Sequence, residues 1–301
     1  MGSVEPFLFE LNMSSRSGVL TPAKVLAAAW RALRDFLAES GVDKSSILSY
    51  YSVFSSFFLL IFFSYLFAGA LGTANSALQN VYPFSPEFFR FIAPVFFQQA
   101  AELSAGIGHL GLAGLGFFLF MGIMVFKKIV QFVNDMFLID IQHVFFVKRI
   151  KEFGLLLIVG LLTVASFLAT SFSSTIEAVV ESGAAVRLAI DPAWVRAVNG
   201  FLVKYALPFL ITFLLFYILF KWIPEKKVAL PAALVSAFFA ALLWEAVKRV
   251  YTYYLVNISL LKNMRDPIVA IILFGFWMEI TMGIMLYGAK MTYLLDKENH
   301  A

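Results

Sequence analysis

Long apolar stretches separated by short polar segments are the main pattern of this 301-residue chain. A helix that crosses the hydrocarbon core of a bilayer needs about 20 mostly apolar residues. No charged residue occurs from Ser45 to Pro86, from Leu103 to Phe126 or from Phe153 to Ile176, and three further apolar stretches follow. The pattern predicts an all-α polytopic membrane protein with six transmembrane helices, near residues 50–71, 107–127, 154–174, 202–222, 230–250 and 268–290.

The remaining residues predict one membrane domain, since no linker is long or polar enough to separate two cores. Residues 1–44 form an N-terminal segment and residues 291–301 a C-terminal tail. With six spans, both termini lie on the same side of the membrane, and the segments on that side contain about twice as many Lys and Arg residues as the segments on the other side. Because basic residues are more frequent in cytoplasmic segments, both termini are predicted to be cytoplasmic. Residues 1–12 lack a basic region before an apolar core, so the first span is expected to act as the insertion signal.

Residues 24–39 predict an amphipathic helix, because their apolar and charged side chains fall on opposite arcs of a helical wheel. Such a helix suits the cytoplasmic membrane interface, and it equally suits a position packed under the helix bundle. The apolar residues 129–150 predict a further helix, an elbow between spans two and three, in which Asn134 faces polar surroundings.

Composition narrows the function classes. The chain is 61% hydrophobic and 14% charged, with a mean hydropathy of +0.86, whereas soluble domains carry roughly a quarter charged residues. It has no Cys and three widely spaced His, so no metal site or cofactor is expected. It also lacks P-loop, nucleophile-elbow, zincin and dinucleotide-binding patterns, so no catalytic residues are predicted and the protein is not expected to be an enzyme. The net charge of +4 does not indicate a nucleic-acid partner.

Glu279 is the deepest charged residue of the predicted spans, roughly midway along the sixth. Ionisable groups at membrane depth are costly and are therefore functional candidates. Gly275 and Gly283 lie four residues to either side of it, and such a small-residue face should direct Glu279 into the bundle. It could be a proton- or cation-linked carboxylate in a polar path, or it could accept a structural hydrogen bond from another span.

A second group of polar residues ends span five. Glu245, Lys248 and Arg249 are spaced so that one helical face can pair them. The two cations could bind a phosphate or carboxylate headgroup at the rim of a cavity, or the group could neutralise itself with the cations reaching outward. Tyr254 follows in what resembles an aromatic belt.

Span one is unusually polar for a membrane helix. Tyr50, Tyr51 and Ser55 are the candidates for lining a hydrophilic path, together with Asn134 of the elbow. Hydroxyl groups in a span can equally form hydrogen bonds across helices, and the residues alone do not separate the two alternatives.

Several short segments share their order and spacing with a known family. They are Leu48–Ser55, Phe132–Asn134 with Lys148–Arg149, Tyr217–Pro224, Leu243–Arg249 with Tyr254, Phe276–Trp277 and Gly288–Ala289. Over residues 22–295 the chain therefore resembles the YihY/BrkB family of bacterial inner-membrane proteins. One departure is Lys290, which stands where the family's final "GAE"-like motif has an acid, so any role of that acid is in doubt here unless Glu279 substitutes for it.

The resemblance implies a six-span bacterial inner-membrane protein of the cell envelope. The family once carried a ribonuclease BN label, which no nuclease-like residues support here. Its members are linked to envelope integrity, serum resistance and suspected transport of lipids or small solutes. We therefore expect a transporter or a lipid or glycolipid translocator, with membrane lipids, including an anionic lipid or glycolipid, as partners. The alternative is a non-transporting scaffold or assembly factor that docks protein partners. The oligomeric state is not indicated.

Overall fold

The computed structural model describes residues 21–71, 111–139, 192–257 and 267–299, and also residues 154, 157, 158, 161 and 162. All regular secondary structure within these residues is helical. The elements are α1 Pro22–Ala38, α2 Gly41–Leu71, α3 Gly111–Met136, α4 Pro192–Phe201, a π-helical segment Leu202–Ala206, α5 Leu207–Trp222, α6 Leu230–Asn257 and α7 Pro267–Asn299.

The described helices overlap five of the six predicted spans and extend past most of them. Helix α2 begins at Gly41 rather than near residue 50, and α7 continues to Asn299 rather than to residue 290. Most of the third predicted span, 154–174, lies outside the described residues. Within the described part, the stretches Leu230–Tyr254 and Ile271–Glu298 are long and apolar enough to cross a membrane.

Helix α1 confirms the amphipathic helix expected over residues 24–39. The side chain of Thr21 caps its N-terminus by accepting a hydrogen bond from the Lys24 N–H at 3.4 Å, and Pro22 occupies the first helical position, where no N–H is needed. A short turn with Ser40 at φ 56° then leads into α2. At Gly41 an added Cβ would lie 2.2 Å from the Phe36 ring, so the turn has room only for glycine.

Helix α3 continues into the predicted elbow before it stops. Leu138 adopts a left-handed backbone with φ 55°, the Leu138 N–H donates to the Asp135 carbonyl, and the Ile139 N–H donates to the Asn134 carbonyl. This is the hydrogen-bond pattern of a Schellman motif, which usually has glycine at the left-handed position. The first part of residues 129–150 is therefore the last turns of a long helix rather than a separate one.

Helices α4 and α5 are continuous through the π-helical segment. The Leu207 N–H donates to the Leu202 carbonyl, one residue further back than in an α-helix. Pro208 follows immediately and cannot donate a backbone hydrogen bond. The π-turn therefore lies at the point where the α-helical hydrogen-bond pattern is interrupted.

Contacts between side chains show that α2 runs antiparallel to α3. Ser55 donates to the Met121 carbonyl at 3.2 Å, while the ammonium group of Lys128 lies over the ring of Tyr51. A later residue of α3 thus meets an earlier residue of α2. The N-terminal end of α2 and the C-terminal end of α3 consequently lie at the same end of the bundle.

The same reasoning gives the direction of α6 and α7. Tyr251 donates to the Leu273 carbonyl at 2.7 Å, and the Ala229 N–H, just before α6, donates to Asp296 at 2.7 Å. These helices are antiparallel, and the short connection 223–229 joins α5 to α6 beside the C-terminal end of α7. We call this end, formed by α1, residues 223–229 and the adjoining helix termini, the polar end.

Alanine side chains let α5, α6 and α7 approach closely in the core. The fully buried alanines of α6 are Ala232, Ala233, Ala237, Ala240 and Ala241. Gly288 of α7 faces this surface, and an added Cβ there would lie 2.5 Å from the Phe220 ring and 3.1 Å from Ala240. Among the three glycines of α7, Gly288 is the one in close contact with a neighbouring helix, whereas an added Cβ would have room at Gly275 and Gly283.

Candidate functional site

Glu279 lies between α7 and the beginning of α2. Its carboxylate accepts a hydrogen bond from the Ser46 hydroxyl at 2.6 Å, and both residues remain partly accessible. Ser46 precedes the apolar stretch of the first predicted span, so Glu279 lies level with the N-terminal turns of α2. This carboxylate is open to contact with a polar ligand, since it is neither sealed in the core nor bound in an ion pair among the described contacts.

Two serines of α2, Ser49 and Ser55, are buried in contacts with neighbouring helices. Ser49 donates to the Gly275 carbonyl of α7 at 3.0 Å, and Ser55, which is 1% exposed, donates to the Met121 carbonyl of α3. Small side chains allow backbones to approach, and their hydroxyls are satisfied by the neighbouring carbonyls. In this arrangement Ser55 serves helix packing, which is the second of the two alternatives for the polar first span.

Tyr50 and Tyr51 contact each other edge to face, with ring centroids 5.8 Å apart. Tyr50 is 66% exposed and its ring also stacks with that of Phe54. Tyr51 is half-buried, and the Lys128 ammonium lies 5.6 Å from its ring centroid, a distance suited to a cation–π contact. The two rings therefore touch, but Tyr50 is the more accessible and Tyr51 packs against α3.

The polar group at the end of α6 is divided between two neighbours. Lys248 and Glu245 form an ion pair of 2.5 Å, and the same ammonium lies 4.7 Å from the Trp244 ring centroid. The exposed Arg249 instead stacks its guanidinium on Tyr205, at 5.4 Å. The charge of Lys248 is thus neutralised within the group, which is the second of the two alternatives for these residues. The guanidinium of Arg249 remains accessible on the side away from Tyr205. Tyr254 is 46% exposed further along α6.

Asn134 is completely buried at the C-terminal end of α3. Its amide donates to the Val130 carbonyl at 2.9 Å, and its side-chain oxygen accepts from the Glu225 N–H at 2.9 Å. Asn134 therefore holds the 223–229 connection against α3. It faces backbone groups of the protein, not a solvent-filled path as its polarity alone suggested.

A buried ion pair at the polar end was not predicted from the sequence. Lys290 of α7 is 1% exposed, and its ammonium donates to the Glu39 carboxylate at 2.6 Å. Its ammonium also lies 5.1 Å from the ring centroid of Tyr293. A buried lysine needs such partners, because removing its charge from water costs several kcal/mol.

Asp296 forms the second half of this polar cluster. It is 2% exposed, accepts from the Ala229 N–H and pairs with Lys226 at 2.8 Å. The Lys226 ammonium lies 5.3 Å from the same Tyr293 ring that Lys290 contacts. Together these groups connect α1, α7 and residues 223–229. The signal that could have identified them is the pair Lys290 and Asp296, the first charges to follow Glu279 in a largely apolar helix.

Asp135, near the C-terminal end of α3, is a carboxyl group at the polar end whose pKa is shifted. Burial raises the pKa of Asp135 above its ordinary value of 3.8, although Lys44 and Lys128 act in the opposite direction. The carboxylate is thus held near two cations but is incompletely solvated. Across the described ranges, no group of three His, Asp or Glu side chains is arranged to hold a metal ion.

Long apolar helices joined by buried polar contacts define a helical membrane protein. The family model for virulence factor BrkB matches residues 32–301, and the chain belongs to this family. The family was thus correctly identified from the short segments in the sequence.

Curated relatives carry the description "UPF0761 membrane protein". The one from Kangiella koreensis is 24% identical over 189 residues, covering 63% of this chain and 43% of the relative. The one from Vibrio parahaemolyticus is 24% identical over 201 residues, covering 66% and 60%. The one from Acinetobacter baylyi is 28% identical over 97 residues, covering 32% and 23%. The matches thus span from about a quarter to three fifths of these relatives' own length. No solved structure matches the chain.

Proposed function

We propose that the protein is a multi-pass protein of the bacterial inner membrane, with six spans and both termini in the cytoplasm. The alternating directions of α2 and α3, and of α6 and α7, support this topology. The polar end holds the N-terminal end of α2 and the C-terminal end of α7, so both chain ends leave the bundle on one side. The excess of Lys and Arg in the segments on that side makes it the cytoplasmic side.

Within this topology the protein acts as a transporter or as a lipid or glycolipid translocator of the cell envelope. The observation that carries the proposal is Glu279, an accessible carboxylate on an apolar helix, hydrogen-bonded only to a neutral hydroxyl among its described contacts. By contrast, Asp296 of the same helix is sealed in an ion pair. Charged groups within an apolar membrane helix are rare, and coupling to a proton, a cation or a polar headgroup explains the presence of this one.

Reconstituted vesicles test this proposal. The purified protein is inserted into liposomes that contain a fluorescent phosphatidylglycerol, and dithionite reports how much of the lipid moves between leaflets. We expect Glu279→Gln to slow the movement about tenfold, equivalent to about 1.4 kcal/mol in the barrier. Ser46→Ala, which keeps the carboxylate, and Lys248→Ala, which alters a self-neutralised pair, serve as controls with smaller effects. A wild-type rate equal to that of protein-free vesicles would contradict lipid translocation.

The alternative function is a non-transporting scaffold for envelope proteins. It is favoured by one observation, the exposed apolar side chains of α1, among them Leu26 and Trp30. A scaffold that uses this helix should lose a protein partner when the exposed Leu26 and Trp30 are replaced by Ser, which leaves the buried contacts of α1 in place. A translocator should keep lipid movement in vesicles after the same substitutions, so the two functions give opposite results.

A further inference from the structure

The side chains of α1 divide into three sectors around its axis, as a rotation of about 100° per residue requires. One sector is buried against the bundle and contains Ala28, Ala29, Ala32 and Phe36. A second sector is apolar but exposed and contains Leu26, Trp30, Leu33 and Leu37. The third is polar and contains Lys24, Arg31, Arg34 and Asp35. Packing under the bundle accounts for the buried sector of α1 but not for the second sector, which is apolar and exposed.

The bundle determines the orientation of α1. The Tyr287 hydroxyl donates to the Ala29 carbonyl at 3.1 Å, and Lys290 pairs with Glu39. These contacts are about 15 Å apart along α1 but only about 4.5 Å apart along α7. Helix α1 therefore crosses α7 steeply. If α7 spans the membrane, α1 lies closer to the membrane plane than to its normal.

The exposed apolar sector is substantial. Leu26 is 72% exposed, Trp30 70%, Leu37 58% and Leu33 40%. The free energy gained by burying such side chains is proportional to the apolar area removed from water, so covering the four is strongly favourable. Helix α2, which follows α1 directly, also exposes large side chains: Val42, Ile47, Tyr50 and Phe54. Exposed apolar side chains on a membrane helix and on the helix before it are suited to lipid.

Arg34 completes the pattern at the border of the exposed sector. It lies one helical turn from Trp30, its side chain is 73% exposed, and its contact with Asp35 is a long 3.6 Å. Amphipathic helices in a membrane interface place Trp and Leu toward the acyl chains and Arg toward the phosphates. We infer that the Leu26, Trp30, Leu33 and Leu37 face of α1 lies at the boundary between acyl chains and headgroups of the adjacent leaflet, with Arg34 contacting a lipid phosphate.

Single-cysteine labelling tests this inference in the full chain, which has no native cysteine to remove. Spin labels are attached to Leu26→Cys, Leu33→Cys and Ala38→Cys in protein reconstituted into phosphatidylethanolamine–phosphatidylglycerol vesicles. Ala38 is exposed on the polar side of the same helix and is the matched control. Power saturation then compares the access of oxygen, which enriches in the bilayer, with that of a water-soluble nickel chelate.

We expect oxygen to relax the labels at Leu26 and Leu33 more than the chelate does, and the reverse at Ala38. Labels at all three positions that are equally open to the chelate would overturn the inference. Labels that are open in vesicles but shielded in native membranes would also overturn it, and would indicate a protein partner instead. Hydrogen exchange of the backbone amides near Glu39 and Lys290 shows whether α1 still packs against α7 in each variant. Slow exchange there ensures that an unfolded α1 is not mistaken for either outcome.

Discussion

Lys290 of α7 and Glu39 at the end of α1 form an ion pair of 2.6 Å across a sequence separation of 251 residues. The lysine is almost entirely buried, whereas about a third of the Glu39 side chain remains accessible. The pair therefore does more than balance charge at a surface. It holds α1 in the orientation that presents its exposed apolar face.

Glu39→Gln should destabilise the protein because it leaves the Lys290 ammonium buried without a carboxylate. We expect a loss on the order of 2–3 kcal/mol, since a buried charge that loses its partner is expensive. The double variant Glu39→Gln/Lys290→Met should recover most of the loss. Thermal unfolding in detergent measures both, with Glu298→Gln as a control that disrupts only the more exposed pair with Arg31. A double variant no more stable than Glu39→Gln would contradict this account.

Asn134→Ala should loosen the connection between α5 and α6. The substitution removes the acceptor of the partly buried Glu225 N–H, and leaving a buried donor unsatisfied costs about 1–3 kcal/mol, which sets the upper range here. Hydrogen exchange should therefore become faster at Glu225 and its neighbours than in the wild type. Gln131→Ala, on the same helix but in a less buried contact with Lys128, should leave this exchange unchanged. Unaltered exchange in Asn134→Ala would show that other contacts hold the connection.

Asp135→Asn should make the protein more stable at neutral pH. Burial raises the pKa of Asp135 in the folded protein, so the folded state binds its proton more tightly than the unfolded state does. The stabilisation by this proton is complete below the unfolded pKa of about 4 and is lost as the pH rises through the folded value. Unfolding temperatures from pH 4 to pH 8 should show an advantage of Asp135→Asn that grows with pH. Asp43→Asn removes an exposed carboxylate and should not reproduce that profile.

Gly288→Ala should disturb the packing of α5, α6 and α7. A methyl group there would meet the Phe220 ring and Ala240 at distances that require movement, and overpacking a core typically costs about 1–3 kcal/mol. Gly275→Ala is the matched control on the same helix, because an added methyl group meets no atom within 4 Å. Its effect should be neutral or slightly stabilising, since alanine favours helices. Equal unfolding temperatures for the two variants would contradict the close contact at Gly288.

The order and type of the helices could be predicted because they depend on local patterns. The apolar stretches near residues 230–250 and 268–290 lie within α6 and α7, and the wheel of residues 24–39 gives α1. Helix ends were less predictable. The apolar pattern of α2 begins after its first turns, and α3 ends at a left-handed Leu138 where sequence signals favour glycine.

The contacts of the candidate polar residues could be predicted only in part. The ion pair of Glu245 and Lys248 follows from their spacing on one helix, and the structure contains it. Ser55 and Asn134 were chosen for their polarity, but the structure uses them to satisfy backbone groups of neighbouring elements. Lys290 and Asp296 were not chosen, because charges near the end of a span are expected to reach the interface.

Hydrophobic length, composition and short motifs are properties of contiguous residues, and they were therefore enough to predict a helical membrane protein of the BrkB family. Which polar groups meet follows only from the packed helices. Glu279 contacts Ser46, and Lys290 contacts Glu39, across more than two hundred residues. Such pairings depend on the direction and rotation of each helix. Close packing at small residues such as Gly288 and the alanines of α6 determines both, and no local pattern contains them.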